Sequence, residues 1–321
     1  MDANAIIHPV SIIICTYNRS ELLAFCLESL TAQTVPASRF EVVVINNNSS
    51  DDTDAVAAGF AAQFPHFQLV NERSQGLSHA RNKGLEVAQN EWVVYLDDDA
   101  KAAPDFVARA SWMIGEGRYQ VFGGIFLPWY KYGRPVWFRD AYASNKKYDH
   151  IRTLYGDDFA CGGVMAFEKS LLKQYGGFDP ALGMSGARVA YGEETEVQYR
   201  MRQDGIEIGY DPGWIIYHLV APYKLNVGWF FKAGFAWGRD RILVYKDHTN
   251  VFYLFLVLLT AFGLSFVNAL RYTPKLLFDR NYYIENWLID VFRKFAKRLG
   301  TIYTALLENS RAKDRWLKEG E

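Results

Sequence analysis

Three consecutive aspartates, Asp97, Asp98 and Asp99, stand directly behind an apolar run at residues 92–96. Side chains alternate across a strand, so Asp97 and Asp99 share one direction while Asp98 takes the other. Two carboxylates aimed at one point repel unless a cation joins them. Hard oxygen donors of this kind suit Mg²⁺ or Mn²⁺, above all where phosphate oxygens complete the shell. An isolated Asp-x-Asp is also the pattern of a solvated acidic turn, so its position in the fold has to decide. A second acidic group, Glu193, Glu194 and Glu196, opens a helical pattern over residues 193–203. Val197 and Met201 follow Glu194 at helical spacing, which puts Glu194 at the head of the inward stripe. Glu196 has Arg200 four residues on as an ion-pair partner. Burial opposes ionisation, so Glu194 is the carboxylate expected to have its pKa raised towards that of a general base, with Glu193 as its rival.

The elements that must position these groups follow from hydrophobic periodicity. Residues 10–15, 41–45, 67–70 and 92–96 read as strands, and 21–32, 52–64 and 77–88 carry helix-spaced apolar residues. Strand–helix alternation predicts a mostly parallel, Rossmann-like sheet flanked by helices, an α/β fold. Ligands of such sheets bind at the carboxyl ends of the strands. Three polar loops then share one rim: Thr16-Tyr17-Asn18-Arg19, residues 46–51 beginning Asn46-Asn47, and Asp97-Asp98-Asp99. Ser20 and Asp51 are suitable helix N-caps, which accounts for one residue per loop and not for the whole set. Further on, the segment from Trp129 to Tyr148 is aromatic and basic, suited to stacking on a ligand, to lipid or to plain packing.

Several motifs in this order resemble family 2 glycosyltransferases: SIIICTYNR, EVVVINNNSSDDT, NERSQGLSHARNKGLEVAQNEWVVYLDDDA, FACGGVMAFEKSLLKQYGGFD, GEETEVQYRMRQDG and YHLVAPYKL. The resemblance covers about residues 10–240. It implies the GT-A fold, a nucleotide-sugar donor (a UDP-sugar foremost), an Asp-x-Asp-held Mn²⁺ or Mg²⁺, and sugar transfer with inversion. By position, Thr16, Tyr17, Asn18 and Arg19 would line the nucleotide pocket. Asn46 stands where the family has an acidic residue on the base, and Asn47 follows it in the same loop. An amide offers a donor that a carboxylate lacks, which leaves the base open. Gly76, Arg81 and Asn82 match the segment facing the donor phosphates. Asp99 would be the nearer metal ligand, Asp97 would serve the ribose or a metal-bound water, and His218 resembles a histidine that helps hold the metal. Asp98 is carried over with the donor-binding set. Glu193-Glu194 matches the family's Glu-Asp acid–base pair.

Composition sets the limits. The chain has 321 residues, half of them apolar and 16% aromatic, enough for a large core. A net charge of −1 argues against nucleic acid as partner. From Arg271 onward, 11 Lys/Arg face 7 Asp/Glu, so a basic tail follows an acidic body. Three scattered cysteines, Cys15, Cys26 and Cys161, read as thiols in a reducing compartment. The N-terminus lacks a signal-peptide pattern, so the expected location is the cytoplasmic face of a membrane. Membrane contact is expected from residues 249–270, a stretch of 22 residues without formal charge. As a helix, such a stretch extends about 33 Å, close to the roughly 30 Å of a bilayer core.

Behind that stretch, Ile284, Leu288, Val291, Phe292, Phe295, Leu299, Ile302, Tyr303 and Leu306 form an apolar stripe, with Arg293, Lys294, Lys297 and Arg298 interleaved. That is the pattern of a basic amphipathic helix at a membrane surface. Basic residues flank the apolar stretch on both sides, which favours monotopic attachment over a single span. A membrane-attached transferase fits a lipid-linked glycan acceptor in cell-surface polysaccharide or glycoconjugate synthesis. The expected division is residues 1–245 as the GT-A domain, with a nucleotide-sugar half at 1–125 and an acceptor half at 126–245, and residues 246–321 as a helical membrane-associating extension. Two alternatives stand: a sugar-nucleotide nucleotidyltransferase, for which CTYNRSELL lacks a Gly-rich phosphate loop, and a non-catalytic membrane-bound GT-A scaffold.

Overall fold

The structure is a computed structural model describing residues 7–185, 190–245 and 251–319, with the side chains of 251 and 308–319 left aside. Residues 249 and 250 of the uncharged stretch lie outside the described residues. Two compact units emerge: Met1–Lys131, Asp140–Gly186 and Glu193–Val220 form the first, and Tyr132–Arg139, Ala187–Gly192 and Ala221–Glu321 the second.

The first unit begins β1 (Val10–Thr16), α1 (Ser20–Thr31), β2 (Glu41–Asn46), α2 (Thr53–Phe60), β3 (Phe67–Asn71), α3 (Leu77–Val87), β4 (Trp92–Leu96). It continues with β5 (Ala100–Ala102), α4 (Phe106–Gly115), β6 (Val121–Trp129), β7 (Arg152–Thr153) and β8 (Val164–Glu168). Helices α5 (Lys169–Gln174) and α6 (Glu193–Gln203) precede the last strand, β9 (Ile208–Leu219). The sheet order is β3-β2-β1-β4-β8-β6-β9-β5, with β7 also on β9. Strands β1 to β4 are parallel, as the alternation predicts. From β4 outward the sheet is mixed: β8 runs antiparallel to β4 and β6, and β5 antiparallel to β9. Residues 206–210 and 214–220, which read as two strands, lie almost wholly within one β9, where the register against β6 shifts between Gly123 and Ile125.

Both faces of the sheet are covered, so its strands are apolar on both sides. Ile12, Ile14, Val42, Val44 and Val94 pack with Leu23 and Leu27 of α1 and with Phe106 and Val107 of α4. Ile13, Val43, Ile45, Val93 and Tyr95 pack with Ala80 and Leu85 of α3 and with Val197 and Met201 of α6. Helix α3 sits so close that a Cβ at Gly84 would lie 2.3 Å from Ile13 Cγ2.

The second unit is helical: α7 (Val227–Tyr245), α8 (Val251–Phe278) and α9 (Ile284–Glu319). The aromatic segment serves packing here, since Trp137 and Phe138 are buried and lie near the Phe230 ring. Helix α9 begins at Ile284, where the apolar stripe begins, and runs past the stripe's end at Leu306 to Glu319; the stripe is not all free, since Val291 is buried, with Ile289 and Ala305 beside the predicted positions. Glycines allow the backbones of α7 and α9 to touch. A Cβ at Gly238 would lie 1.6 Å from the Lys297 carbonyl oxygen, and one at Gly300 would lie 2.0 Å from that of Phe235. Gly263 in α8 has nothing within 4 Å of that point. Gly→Ala in a helix interior ordinarily gains about 0.5–1 kcal/mol, and a backbone clash reverses the sign. Gly238→Ala is expected to destabilise the detergent-solubilised protein by about 1–3 kcal/mol, while Gly263→Ala is neutral or stabilising. Equal unfolding midpoints for the two variants would contradict the α7–α9 contact.

Candidate active site

The carboxyl ends of β1, β2 and β4 meet at one edge of the parallel half. The register of β9 on β5 sets His218 opposite Ala100, one residue past the aspartates. The Leu219 N–H donates to the Asp99 carbonyl oxygen at 2.9 Å and locks that register. His218 Nε2 thereby reaches Asp99 Oδ1 at 3.2 Å and Asp97 Oδ2 at 3.4 Å. On the other side of the ring, Nδ1 lies 3.1 Å from the Leu219 carbonyl oxygen. With the Nδ1 proton donated there, the Nε2 lone pair faces both carboxylates. Three acceptors converging on one point are tolerable only with a positive species between them, a proton on Nε2 or a metal ion. Ligand atoms of Asp97, Asp99 and His218 all lie within 4.8 Å of one another. Two carboxylates and an imidazole fit Mn²⁺, and fit Mg²⁺ less well because its shell favours oxygen.

Asp98 does not point into solvent. It is buried, and Arg19 Nη1 donates to Asp98 Oδ1 at 3.0 Å and to Asp99 Oδ2 at 3.2 Å. Burial pushes the Asp98 carboxyl up to about 6 despite the attraction of Arg19, with the Asp99 charge adding to the rise. At Asp97 burial also raises the pKa, but His218, Arg81 and Arg19 together outweigh it and bring the group down to about 2. Arg19 therefore acts within the aspartate cluster as well as in its own loop.

The remaining loop residues divide by whether their side chains are committed. Thr16 is buried beneath the cluster, and Tyr17 is exposed. Asn18 adopts a left-handed φ of 52° and accepts from the Ser50 N–H at 2.7 Å, tying the first loop to the second. Asp51 strengthens that tie, accepting from the backbone N–H of Ser20 and of Thr53 and so capping two helices at once. Asn46 is buried; its Oδ1 accepts from Ser49 N and its Nδ2 donates to Asp54 Oδ1 at 2.7 Å. Asn47 is buried too, donating to the carbonyls of Glu72 and Ser74 and accepting from Gly76 N–H. Gly76 has φ 143°, a left-side conformation that favours glycine at the start of α3. Asn82 clasps the backbone of Phe178 in both directions.

Arg81 is buried. Its Nη1 donates to Glu193 Oε1 at 2.6 Å and its Nη2 to the Gly162 carbonyl at 3.0 Å, with Asp97 Oδ1 3.9 Å away. The guanidinium also faces the rings of Tyr95 and Phe178. Glu193 is correspondingly buried, and its Oε2 has no hydrogen-bond partner. Glu196 is buried against Arg200, as its spacing predicts. The expectation that Glu194 would be the most buried of the three glutamates is corrected: it is the partly exposed one, because the other two carry their own arginines inward. Among the described residues Glu194 makes no ion pair, and burial of its carboxyl, reinforced by the Glu193 charge and opposed by Arg81, pushes its pKa up to about 8. Gln198 anchors this turn of α6, pairing with both backbone groups of Ala160 and donating to the Glu194 carbonyl.

Sequence reasoning did not single out Gly163 or Asp54. A Cβ at Gly163 would lie 2.4 Å from Asp97 Oδ2, so CGGV forms a wall against the aspartate. Asp54 is visible only as a carboxylate in the first turn of α2, with nothing in its spacing to pair it with Asn46. Removing Arg81 would strand a buried carboxylate. Arg81→Met is expected to cost about 3–5 kcal/mol of stability, with most of it restored in Arg81→Met/Glu193→Met. Denaturant unfolding of the four-member cycle tests this, and a single-variant loss below about 1 kcal/mol, the level of an exposed pair, would refute the buried ion pair.

Comparison with known proteins addresses the family and the fold. The profile of Glycosyl transferase family 2 matches residues 11–176. The glucosyl-dolichyl phosphate glucuronosyltransferase of Haloferax volcanii is 24% identical over 245 residues, 72% of this chain and 76% of that protein. The succinoglycan biosynthesis protein ExoM of Rhizobium meliloti is 28% identical over 258 residues, 74% of this chain and 76% of that protein. Other relatives match at 33–37% identity, but the chain then spans only 27–38% of their length. Among solved structures, the mannosyltransferase PcManGT of Pyrobaculum calidifontis, in complex with GDP-Man and Mn2+, superposes with a TM-score of 0.65 at 18% identity, covering 95% of this chain and 90% of that one. The likeness in structure is one of fold, and the profile spans more than half of the sequence: this chain belongs to glycosyltransferase family 2 and has the GT-A fold.

Proposed function

We propose that the chain is an inverting, metal-dependent transferase. It moves a sugar from a nucleotide diphosphate donor, a UDP-sugar foremost, to a lipid-linked glycan acceptor. The observation that carries this reading is the convergence of Asp97, Asp99 and His218 beside a carboxylate, Glu194, that makes no ion pair among the described residues. The names of two relatives support it: one acts on a dolichyl-phosphate-linked sugar, the other belongs to polysaccharide biosynthesis. A neighbour in fold carries GDP-Man and Mn2+, and another was solved with UDP-GlcNAc. Family membership removes the nucleotidyltransferase alternative; the inactive scaffold becomes an outcome of the test below.

Asp97, Asp99 and His218 would hold Mn²⁺ or Mg²⁺, which when bound supplies positive charge to a departing diphosphate. Thr16, Tyr17, Asn18 and Arg19 line the donor side, with Asn46, Asn47 and Gly76 shaping its floor. Arg81 and Asn82 brace the site from behind; Arg81 holds Glu193 in a buried ion pair, which leaves it out of the chemistry. Glu194 accepts the proton of the acceptor hydroxyl, whose oxygen forms the new bond to the anomeric carbon as the bond to the diphosphate breaks on the opposite face. Residues 1–125 serve the donor and 126–245 the acceptor. The exposed apolar side of α8, with Phe252, Phe255, Phe262, Phe266 and Leu270 uncovered, supports attachment to a membrane, at its cytoplasmic face.

A base must be deprotonated to act, so a raised pKa puts the loss of activity on the acid side. Turnover of a nucleotide sugar with Mn²⁺ is expected to rise with pH and level off above about 8. Glu194→Gln should lose at least about 100-fold in rate, with donor affinity unchanged by thermal shift. Wild-type transfer by this variant would remove Glu194 from its role. Asp99→Ala, or chelation of the cation, should abolish metal-dependent donor binding. A wild-type chain that neither hydrolyses nor transfers any donor in a nucleotide-sugar screen would establish the scaffold instead.

A further inference from the structure

Helices α8 and α9 pack antiparallel along nearly the whole of α8. Leu254 clusters with Ile302 and Ala305, Arg298 Nη1 donates to the Thr260 carbonyl at 3.2 Å, and Phe262 meets Phe295 edge-on. Asn268 Nδ2 donates to the Asp290 carbonyl at 3.3 Å, and Trp287 Nε1 to Thr273 Oγ1 at 3.1 Å. The middle of α8 is therefore flanked by the charged turns of α9 that hold Asp290, Arg293, Lys294, Lys297 and Arg298. Arg293, Lys294 and Lys297 are exposed.

By length and composition, Phe252–Phe278 is apolar enough to cross a membrane. Crossing would carry the paired stretch of α9 to the same depth. A basic residue at the centre of a bilayer costs about 2.5–3.5 kcal/mol each, and Arg293, Lys294, Lys297 and Arg298 would all be drawn towards it. Laid in the plane of one leaflet, α8 sinks its uncovered Phe, Leu and Val side chains among acyl chains. The basic residues of α9, with Lys275 in the last turn of α8 and Arg280 just after it, then reach phosphate headgroups.

We propose that α8 and α9 form a hairpin lying in the plane of one leaflet of an anionic bilayer, with α8 at the acyl boundary and α9 at the headgroups. This rests on the membrane attachment proposed above and adds its orientation and its lipid class. The apolar exposure favours lipid over a second copy of the chain, because it extends from Phe252 to Phe278 on more than one side of α8 and ends among basic residues.

The full chain is reconstituted with vesicles of phosphatidylcholine, with or without phosphatidylglycerol. Single cysteines at exposed Phe252, Phe266 and Phe278 carry an environment-sensitive fluorophore, and the wild-type chain taken through the same labelling gives the background of native thiols. Spin-labelled lipids with the nitroxide near the headgroup or near the chain end then report depth. The in-plane hairpin predicts that the shallow quencher is the stronger at all three positions. A strongest deep quench at Phe266, with shallow ends, overturns it in favour of a span. No quenching at any position, with a concentration-dependent dimer in sedimentation, overturns both the orientation and the membrane reading. Lys294→Gln and Arg280→Gln are each expected to weaken binding to phosphatidylglycerol vesicles about fivefold without changing binding to phosphatidylcholine alone. Unchanged binding to the anionic vesicles overturns the lipid class.

Discussion

Everything at the carboxyl edge of the sheet depends on how five carboxylates share too little positive charge. Asp97, Asp98, Asp99, Glu193 and Glu194 interact with Arg19, Arg81 and His218, and none of these side chains is freely solvated. The two arginines are spent in different ways. Arg81 is buried from guanidinium to backbone and committed to Glu193, so its charge is structural. Arg19 is the more exposed and spans Asp98 and Asp99, so its charge is adjustable. The carboxylates still outnumber the cations where Asp97 and Asp99 turn towards His218, with Glu194 close by, and the proposed function assigns the cation and the proton to these groups. In a medium of low effective dielectric, such an imbalance is a strong preference for a positive ligand.

Strand register is what converts that chemistry into a site. The aspartates end β4, while His218 belongs to β9, which is not the neighbour of β4; the three-residue β5 closes the gap. Only with β5 antiparallel to β9 does the imidazole arrive beside carboxylates that precede it by more than a hundred residues in the chain. The glycines at 162 and 163 complete the fit by leaving space for Arg81 and Asp97 respectively.

The parallel half of the fold was legible because period and polarity agree there: four apolar runs, helix-spaced segments between them, and polar residues at every strand end. The antiparallel half was not, since a reversed strand carries the same buried apolar pattern as a parallel one. At the candidate site, the sequence named residues that the fold brings together, Asp97, Asp99 and His218, but not the burial of its carboxylates. Placing Glu194 on the inward stripe treated burial as a matter of helical phase, whereas Arg81, more than a hundred residues earlier, pulls Glu193 inward. Likewise strand alternation set Asp98 apart from Asp97 and Asp99 but says nothing about an arginine one loop over, which binds Asp98 and Asp99 together. For α9, periodicity marked the apolar stripe but not its partner; the signal was Gly234, Gly238 and Gly300, small residues at helical spacing that only a close helix crossing requires.

The amide at the end of β2 is a further case where a pair matters more than a position. The resemblance leads one to expect an acidic residue where Asn46 stands. In the fold, its Nδ2 donates to Asp54 at 2.7 Å, while its Oδ1 accepts from Ser49. An aspartate at 46 would still accept from Ser49 but would face the exposed Asp54 with a second carboxylate at hydrogen-bond distance, a repulsive contact. The two residues are therefore matched: an amide at the strand end allows a carboxylate in the first turn of α2, where the helix dipole favours it. In this chain the negative charge at this edge of the sheet stands on the helix, beside the amide of the strand.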